Sequence, residues 1–375
     1  MKNKISNLEF SIFTFFIMRS CLLGITSHSM LSIANQDAWI SMIIGTIVGF
    51  IPILLIIYIM NYKPDLNILE KNKVLFGNLF GTIINTILTG LFLSMSLIIF
   101  YNLNIFIVSQ YLNKTPLMVV AIVFFITLLY ISLKGLKVIA RTFLMLFYTT
   151  IILYITTSIG LFSIFSFDNL KPFFEADTNS LIYSAFVYLS YTILPVFLLT
   201  MIPKNNIKNN KQLPKYLIIT YLIANLSLIN VFTLTIGVLG INLSKIFEYP
   251  EFHVLESISF LGVKSRFDSI VAMHWIFDML CFISLSLYFL KEYIKSTLKF
   301  NNNFVICTIG LLLITIPQKY IWNITLLDNL SKNLFPIIIS IIIGITILLL
   351  SLLIKKSTKC LKKTKYKEQN QLQQL

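Results

Sequence analysis

The chain has 375 residues, of which 57% are hydrophobic and only 12% charged, and its mean hydropathy is +0.85; ordinary soluble domains carry about 25% charged residues. Spans of about twenty residues joined by short loops use up the whole length, which excludes a separate aqueous enzyme domain. The net charge of +15 does not point to nucleic acid, because seven lysines between Lys355 and Lys367 follow the last apolar run, where basic residues anchor a membrane helix.

In chain order the apolar runs predict ten membrane spans, at about 10–33, 39–60, 82–110, 116–133, 142–165, 181–202, 216–240, 267–290, 303–319 and 335–354, followed by a basic tail at 355–375. The last run, Phe335 to Ile354, has no charged side chain, and such a run is too long and too uniformly apolar for a soluble core helix. The expected class is therefore an all-α polytopic membrane protein with a single integral membrane domain. The start of the chain has Lys2 and Lys4 but no small-residue cleavage signature, so the first span reads as retained. Cys21, Cys281, Cys307 and Cys360 fall in three apolar runs and the basic tail, a distribution that predicts no structural disulfide.

Ten spans place both termini on one side. Twenty-two lysines and arginines belong to that side and seven to the other, so the positive-inside rule predicts cytoplasmic termini. The opposite loops collect carboxylates instead: Asp37, Asp168, Glu175, Asp177, Glu248, Glu251, Glu256 and Asp328. The longest of these loops runs from Asn242 to Ser265. After Tyr249-Pro250 its apolar residues Phe252, Leu255, Ile258 and Phe260 are roughly helix-spaced, which fits either a cap over a vestibule or a helix resting on the membrane.

Two spans carry signs of interruption. From Arg19 to Ser29 the first has a glycine, small hydroxyl residues and a histidine where lipid-like side chains belong. The sixth has Pro195 in mid-span, which removes a backbone donor and crowds the preceding turn. A kink or a packing glycine would account for either alone. In two inverted repeats of five spans, however, the first and sixth are equivalent, and broken helices at equivalent positions mark the binding site of many transporters.

Gln36-Asp37-Ala38-Trp39-Ile40-Ser41 between the first two spans, Thr115-Pro116, Tyr249-Pro250, and Arg266-Phe267-Asp268 followed by Trp275 together resemble the B subunits of spore germination (germinant) receptors, within the amino acid, polyamine and organocation transporter superfamily. The resemblance runs from about residue 5 to 355. It implies a five-plus-five inverted repeat with broken first and sixth helices, a small-ligand pocket between spans one, three, six and eight, and a role in nutrient sensing. It also implies a larger A subunit and a C lipoprotein subunit as partners in the inner membrane of a bacterial spore. One departure stands out: where the family carries glycine-x-glycine and then leucine-proline, this chain has Ser20, Leu22 and Thr26-Ser27, with Gly24 the only glycine.

In that pocket a zwitterionic ligand needs N–H donors for its carboxylate and carbonyl or hydroxyl oxygens for its ammonium. Ser20, Gly24 and Thr26, with Ser190 and Tyr191, are the candidate contacts. Tyr101 and Asn102 in the third span, with Ser284 and Tyr288 in the eighth, would close its sides. Each hydroxyl equally has its own helix backbone as a partner. Arg19 lies about 13 Å and Asp278 about 17 Å into their spans at 1.5 Å per residue, and with spans one and eight adjacent these two are expected to form a buried ion pair. Snorkelling is the other reading of Arg19. His274, one turn before Asp278, reads as a hydrogen-bond donor to a neighbouring helix or as part of that group. No metal-ligand spacing, phosphate loop or catalytic pair is present in the sequence, so neither a cofactor nor an enzyme is expected. The reading is a germinant receptor subunit that binds a small nutrient, an amino acid being the leading class, and signals to partner subunits. A secondary amino acid transporter coupled to a proton or ion is the alternative.

Overall fold

A computed structural model describes residues 4–21, 25–260, 263–264, 268–320 and 333–372. The chain is built of helices: α1 Asn7–Ser20, α2 Ser27–Ala34, α3 Ala38–Asn61, α4 Ile68–Phe76, α5 Asn78–Gln110, α6 Leu117–Leu133, α7 Leu136–Phe162, α8 Thr178–Tyr188, α9 Leu213–Ile246, α10 Pro250–Glu256, α11 Asp268–Leu298, α12 Asn303–Thr315, α13 Phe335–Ile339 and α14 Ile345–Leu372. A two-residue hairpin, β1 Ser259–Phe260 with β2 Val263–Lys264, is the one sheet among the described residues. Seven helical stretches there are long and apolar enough to cross a membrane, and two shorter apolar ones, Leu117–Leu133 and Asn303–Lys319, fill the fourth and ninth places.

The first span is α1 and α2, and the sixth is α8 with the irregular turns after it; four spans lie between them, as a five-plus-five transporter-like architecture requires. These two and α11 form the centre. Nearly every residue of α1 is buried, and 72% and 78% of the most apolar windows of the sixth and eighth spans are, against half or less in the other long spans. The outer helices present Ile47, Ile152, Leu226 and Leu352 outward, as lipid-facing helices must.

Local chemistry sets the ends. Ser6 accepts a hydrogen bond from the Glu9 N–H at 3.1 Å while the Glu9 carboxylate accepts from the Ser6 N–H at 2.6 Å, a reciprocal cap that starts α1. Asn67 and Glu70 repeat this at α4. Lys71, one of the basic residues behind the orientation argument, is 2% exposed and donates to the Ile59 and Met60 carbonyls at the end of α3. It caps a helix, and burial lowers its ammonium to about 8. Near the end of α9 the backbone leaves helical geometry at Gly240, with φ of 72°, a region glycine enters without cost. The Gly237 carbonyl before it is taken by the Ser166 N–H at 3.0 Å and by Asn169 Nδ2 at 2.8 Å.

Helices also run beyond the apolar runs. α5 begins at Asn78, α9 reaches Ile246, α11 continues to Leu298 and α14 to Leu372, so the basic stretch after Ile354 is helical as far as it is described. Between Asn242 and Ser265 the regular part is α10, one short helix with Phe252, Val254 and Leu255 buried against α7, α9 and α11. Of the two readings of that loop, the helix is seated on the bundle.

Candidate functional site

The first span stops being an α-helix at Cys21. Thr26 closes the gap from the other side, its N–H donating to the Cys21 carbonyl at 3.3 Å and its Oγ1 to the same oxygen at 2.7 Å. That is an i to i−5 closure, a wide turn often found at functional sites. Gly24 lies outside the described residues. In the sixth span Leu189–Ile193 forms a π-helical turn, and Leu194–Met201, with Pro195 at its start, continues as a tight 3-10 stretch. The backbone is thus rewound twice without leaving the span. Both irregular segments pack against α1.

Ser20 Oγ donates to the Ile17 carbonyl at 2.8 Å, and Thr26 Oγ1 is committed to Cys21 as above. Tyr191 is fully buried on the π turn. Ser190 Oγ donates to the Phe186 carbonyl at 2.7 Å and meets Ser340 Oγ of the tenth span at 2.7 Å, so it faces away from the first span. A second π turn at Ser340–Gly344 lies directly opposite. In the third span Tyr101 is buried and Asn102 half-buried with its Oδ1 unpaired. Asn104, two residues on, donates to Gln318 at 2.9 Å. In the eighth span the Ser284 hydroxyl is buried without a partner, and Tyr288 is half-buried with the Lys291 ammonium 4.8 Å from its ring centre.

Arg19 and Asp278 come together. Arg19 Nε is 3.3 Å from Asp278 Oδ2, its Nη1 is 3.4 Å from Ser227 Oγ, and its guanidinium carbon lies 5.0 Å from the centre of the Phe15 ring. Both side chains are almost wholly buried, and Asp278 Oδ1 has no hydrogen-bond partner. The contact is single-pronged, and one carboxylate oxygen is left over. Beside Arg19 lies a cavity of about 40 Å³ between α1, α7, α9, α10 and α11, lined by Arg19, Tyr154, Glu251 and His274 with Thr157, Ser158 and a ring of apolar side chains. Of the residues singled out from sequence as ligand contacts or as the ion pair, Arg19 is the one that reaches it.

Sequence reasoning missed three features. Glu251 stands among the outer-loop acids in the sequence but is 2% exposed in the fold; its position on the buried side of α10, between Pro250 and Phe252, was the available signal. Asp37 is fully buried, and its two oxygens accept from the Phe174 and Ala176 N–H groups at 2.9 Å each, while Gln36 donates to the Pro172 carbonyl. The Gln36–Ser41 segment therefore clasps the loop before α8. The third is a buried polar knot. Tyr188 donates to Asn225 Oδ1 at 2.6 Å, Thr46 lies 2.9 Å from the same oxygen, and the Tyr221 hydroxyl donates to the Thr46 carbonyl, joining α3, α8 and α9. A Cβ at Gly49 would fall 2.3 Å from Ile193 Cδ1, so the close approach of α3 to the π turn depends on that glycine.

The family model described as spore germination protein matches residues 10–322. The chain belongs to the spore germination protein family. Within it, spore germination protein A2 of Bacillus subtilis is 24% identical over 279 residues, covering 74% of this chain and 76% of that protein. Spore germination protein KB of the same organism is 23% identical over 262 residues, covering 68% and 69%. Among solved structures, a Na+-coupled sialic acid symporter in a substrate-bound outward-open state matches with a TM-score of 0.66 at 11% identity, over 93% of this chain and 79% of that one. At that identity the likeness is one of fold. This member of the family thus has a transporter-like membrane fold.

Proposed function

We propose that the protein is the membrane subunit of a spore germinant receptor, which binds a small nutrient of the amino acid class and passes the change to a larger A subunit and a C lipoprotein subunit. The observation that carries this reading is the packing of the π turn Leu189–Ile193 and the 3-10 stretch Leu194–Met201 against α1, which itself stops at Cys21, in a chain of the germination family. Rewound helices leave carbonyl and N–H groups free of their usual partners, the groups an amino acid's ammonium and carboxylate require. Tyr191 and Tyr101, Asn102, Ser284 and Tyr288 are the side-chain candidates that remain. Ser20, Thr26 and Ser190 serve the backbone in this state, and contribute to a ligand only if those turns unwind further. The termini lie in the cytoplasm, and the membrane is the spore's inner one.

The likeness to a symporter favours one competing reading, uptake of an amino acid with a proton or ion. The two separate in a paired experiment: uptake of labelled common amino acids into proteoliposomes, beside nutrient germination of a deletion strain complemented with Tyr191→Ala or Tyr288→Ala. A receptor gives germination that falls in these variants at unchanged partner-subunit levels, with no uptake. Concentrative uptake by the isolated protein would overturn the receptor reading, and undiminished germination in both variants would remove these tyrosines from the site.

A further inference from the structure

Glu251 sits in the first turn of α10, against the 40 Å³ cavity. That volume suits one or a few waters and is too small for an amino acid. Both Glu251 carboxylate oxygens are buried and without a hydrogen-bond partner, and no ion pair reaches them among the described residues. A lone carboxylate in such a place is costly and is neutralised by its surroundings or by a proton.

The surroundings do not neutralise it. From α1 comes Arg19, already engaged by Asp278 of α11. From α7 comes Tyr154, a neutral phenol, and from α9 only Val231 and Leu234. α11 offers His274, buried, with Nε2 unpartnered. Burial pushes the Glu251 carboxyl up to about 7, and the Ser27 hydroxyl of α2 and the residue's own backbone N–H, neither within full hydrogen-bond geometry, oppose this only in part. With Arg19 and Asp278 cancelling, one positive charge is wanting. A metal ion is the poorer candidate, since no three metal-ligating side chains cluster among the described residues.

We propose that this cavity is a proton-binding site: Glu251 holds one proton while α10 is seated on the bundle and gives it to bulk water when α10 lifts. Release breaks the carboxyl O–H bond, the proton passes to water, and the carboxylate left behind is hydrated. This goes beyond the germinant reading and does not depend on it.

The test uses the purified full-length protein. Infrared difference spectra across a pH titration should contain the C=O band of a protonated, unbonded carboxyl that disappears as pH rises through about 7. The band should be absent in Glu251→Gln. It should also shift when the native protein is labelled with carbon-13 glutamate, an arm that does not require the variant to fold. A spin label at Glu256→Cys, in a background lacking the other cysteines, should gain mobility over the same pH range, and should not when Glu251→Gln is added. A band unmoved by glutamate labelling would overturn the proposal, as would titration in the ordinary carboxylate range. Loss of the band on adding sodium, potassium or ammonium at fixed pH would mean a cation occupies the site instead, and label mobility independent of pH would overturn release by lifting.

Discussion

Arg19 and Asp278 offer the sharpest test of how this bundle is held together. Removing one partner leaves a buried, uncompensated charge, which costs about 3–5 kcal/mol, whereas replacing both with apolar residues of similar size is often neutral. The geometry sharpens this. One Nε–Oδ2 contact of 3.3 Å and an unpartnered Oδ1 leave desolvation poorly compensated, so the pair is expected to add little over an apolar replacement. Arg19→Met and Asp278→Leu should each lower stability by about 3–5 kcal/mol, and independent sites would sum to about 6–10 kcal/mol in the double variant. Coupled sites should leave the double within about 2 kcal/mol of the native protein. Each 1.4 kcal/mol is tenfold in an equilibrium constant, so the two outcomes lie far apart. The assay is thermal unfolding of detergent-purified protein, with folded protein per cell as a second reading. A double variant as unstable as the summed singles would refute the coupling. Arg19 would then owe its place to Phe15 and Ser227, and Asp278 would be free for a ligand's ammonium.

Three further outcomes are expected. Cys21, Cys281 and Cys307 are buried, so with these replaced an impermeant thiol reagent outside intact cells should leave Cys360 unlabelled but label a Glu175→Cys variant made without Cys360; labelling of Cys360 would reverse the orientation. Asp37→Ala removes an acceptor from two backbone N–H groups, at about 3 kcal/mol or more in all, and should make the 167–177 loop sensitive to added protease at unchanged protein level; a loop as resistant as the native one would show that Gln36 and Trp39 suffice. The Glu251 carboxyl, held near 7 against the usual 4.5, makes the folded state bind the extra proton between those values. Stability should therefore decline by about 3 kcal/mol as pH rises from about 4.5 to about 7 and be flat beyond. Unfolding temperatures against pH measure the decline, and an equal decline in Glu251→Gln would assign it elsewhere.

Hydropathy made the class and the central spans legible because a lipid-facing helix has no other composition open to it. Pro195 and the small polar run after Arg19 pointed to the two rewound spans, and depth arithmetic placed Arg19 and Asp278 at one level, where the fold brings them to 3.3 Å. What stayed hidden depends on azimuth. Ser190 reads as a sixth-span hydroxyl, but the π turn it belongs to adds a residue and aims it at Ser340. The π turn at Ser340–Gly344 has no proline inside it to announce it. Asp37 and Glu251 both read as acids of a solvent-facing rim, and both are buried. A one-dimensional pattern gives the depth of a side chain well, and its direction only when the helix is regular.

The tenth span has a mechanical consequence. From its π turn, α14 runs without a break from Ile345 to Leu372, about 42 Å at 1.5 Å per residue. Its near end meets the sixth span through Ser340 and Ser190, its middle packs on α3 and α4 with the Ser357 hydroxyl 3.3 Å from that of Tyr62, and the part after Ile354 carries seven lysines. A tilt of about 10° about the Ser357 contact sweeps the tip at Leu372, about 22 Å further on, through roughly 4 Å, so movement of the sixth span reaches the surface as a displacement of charge.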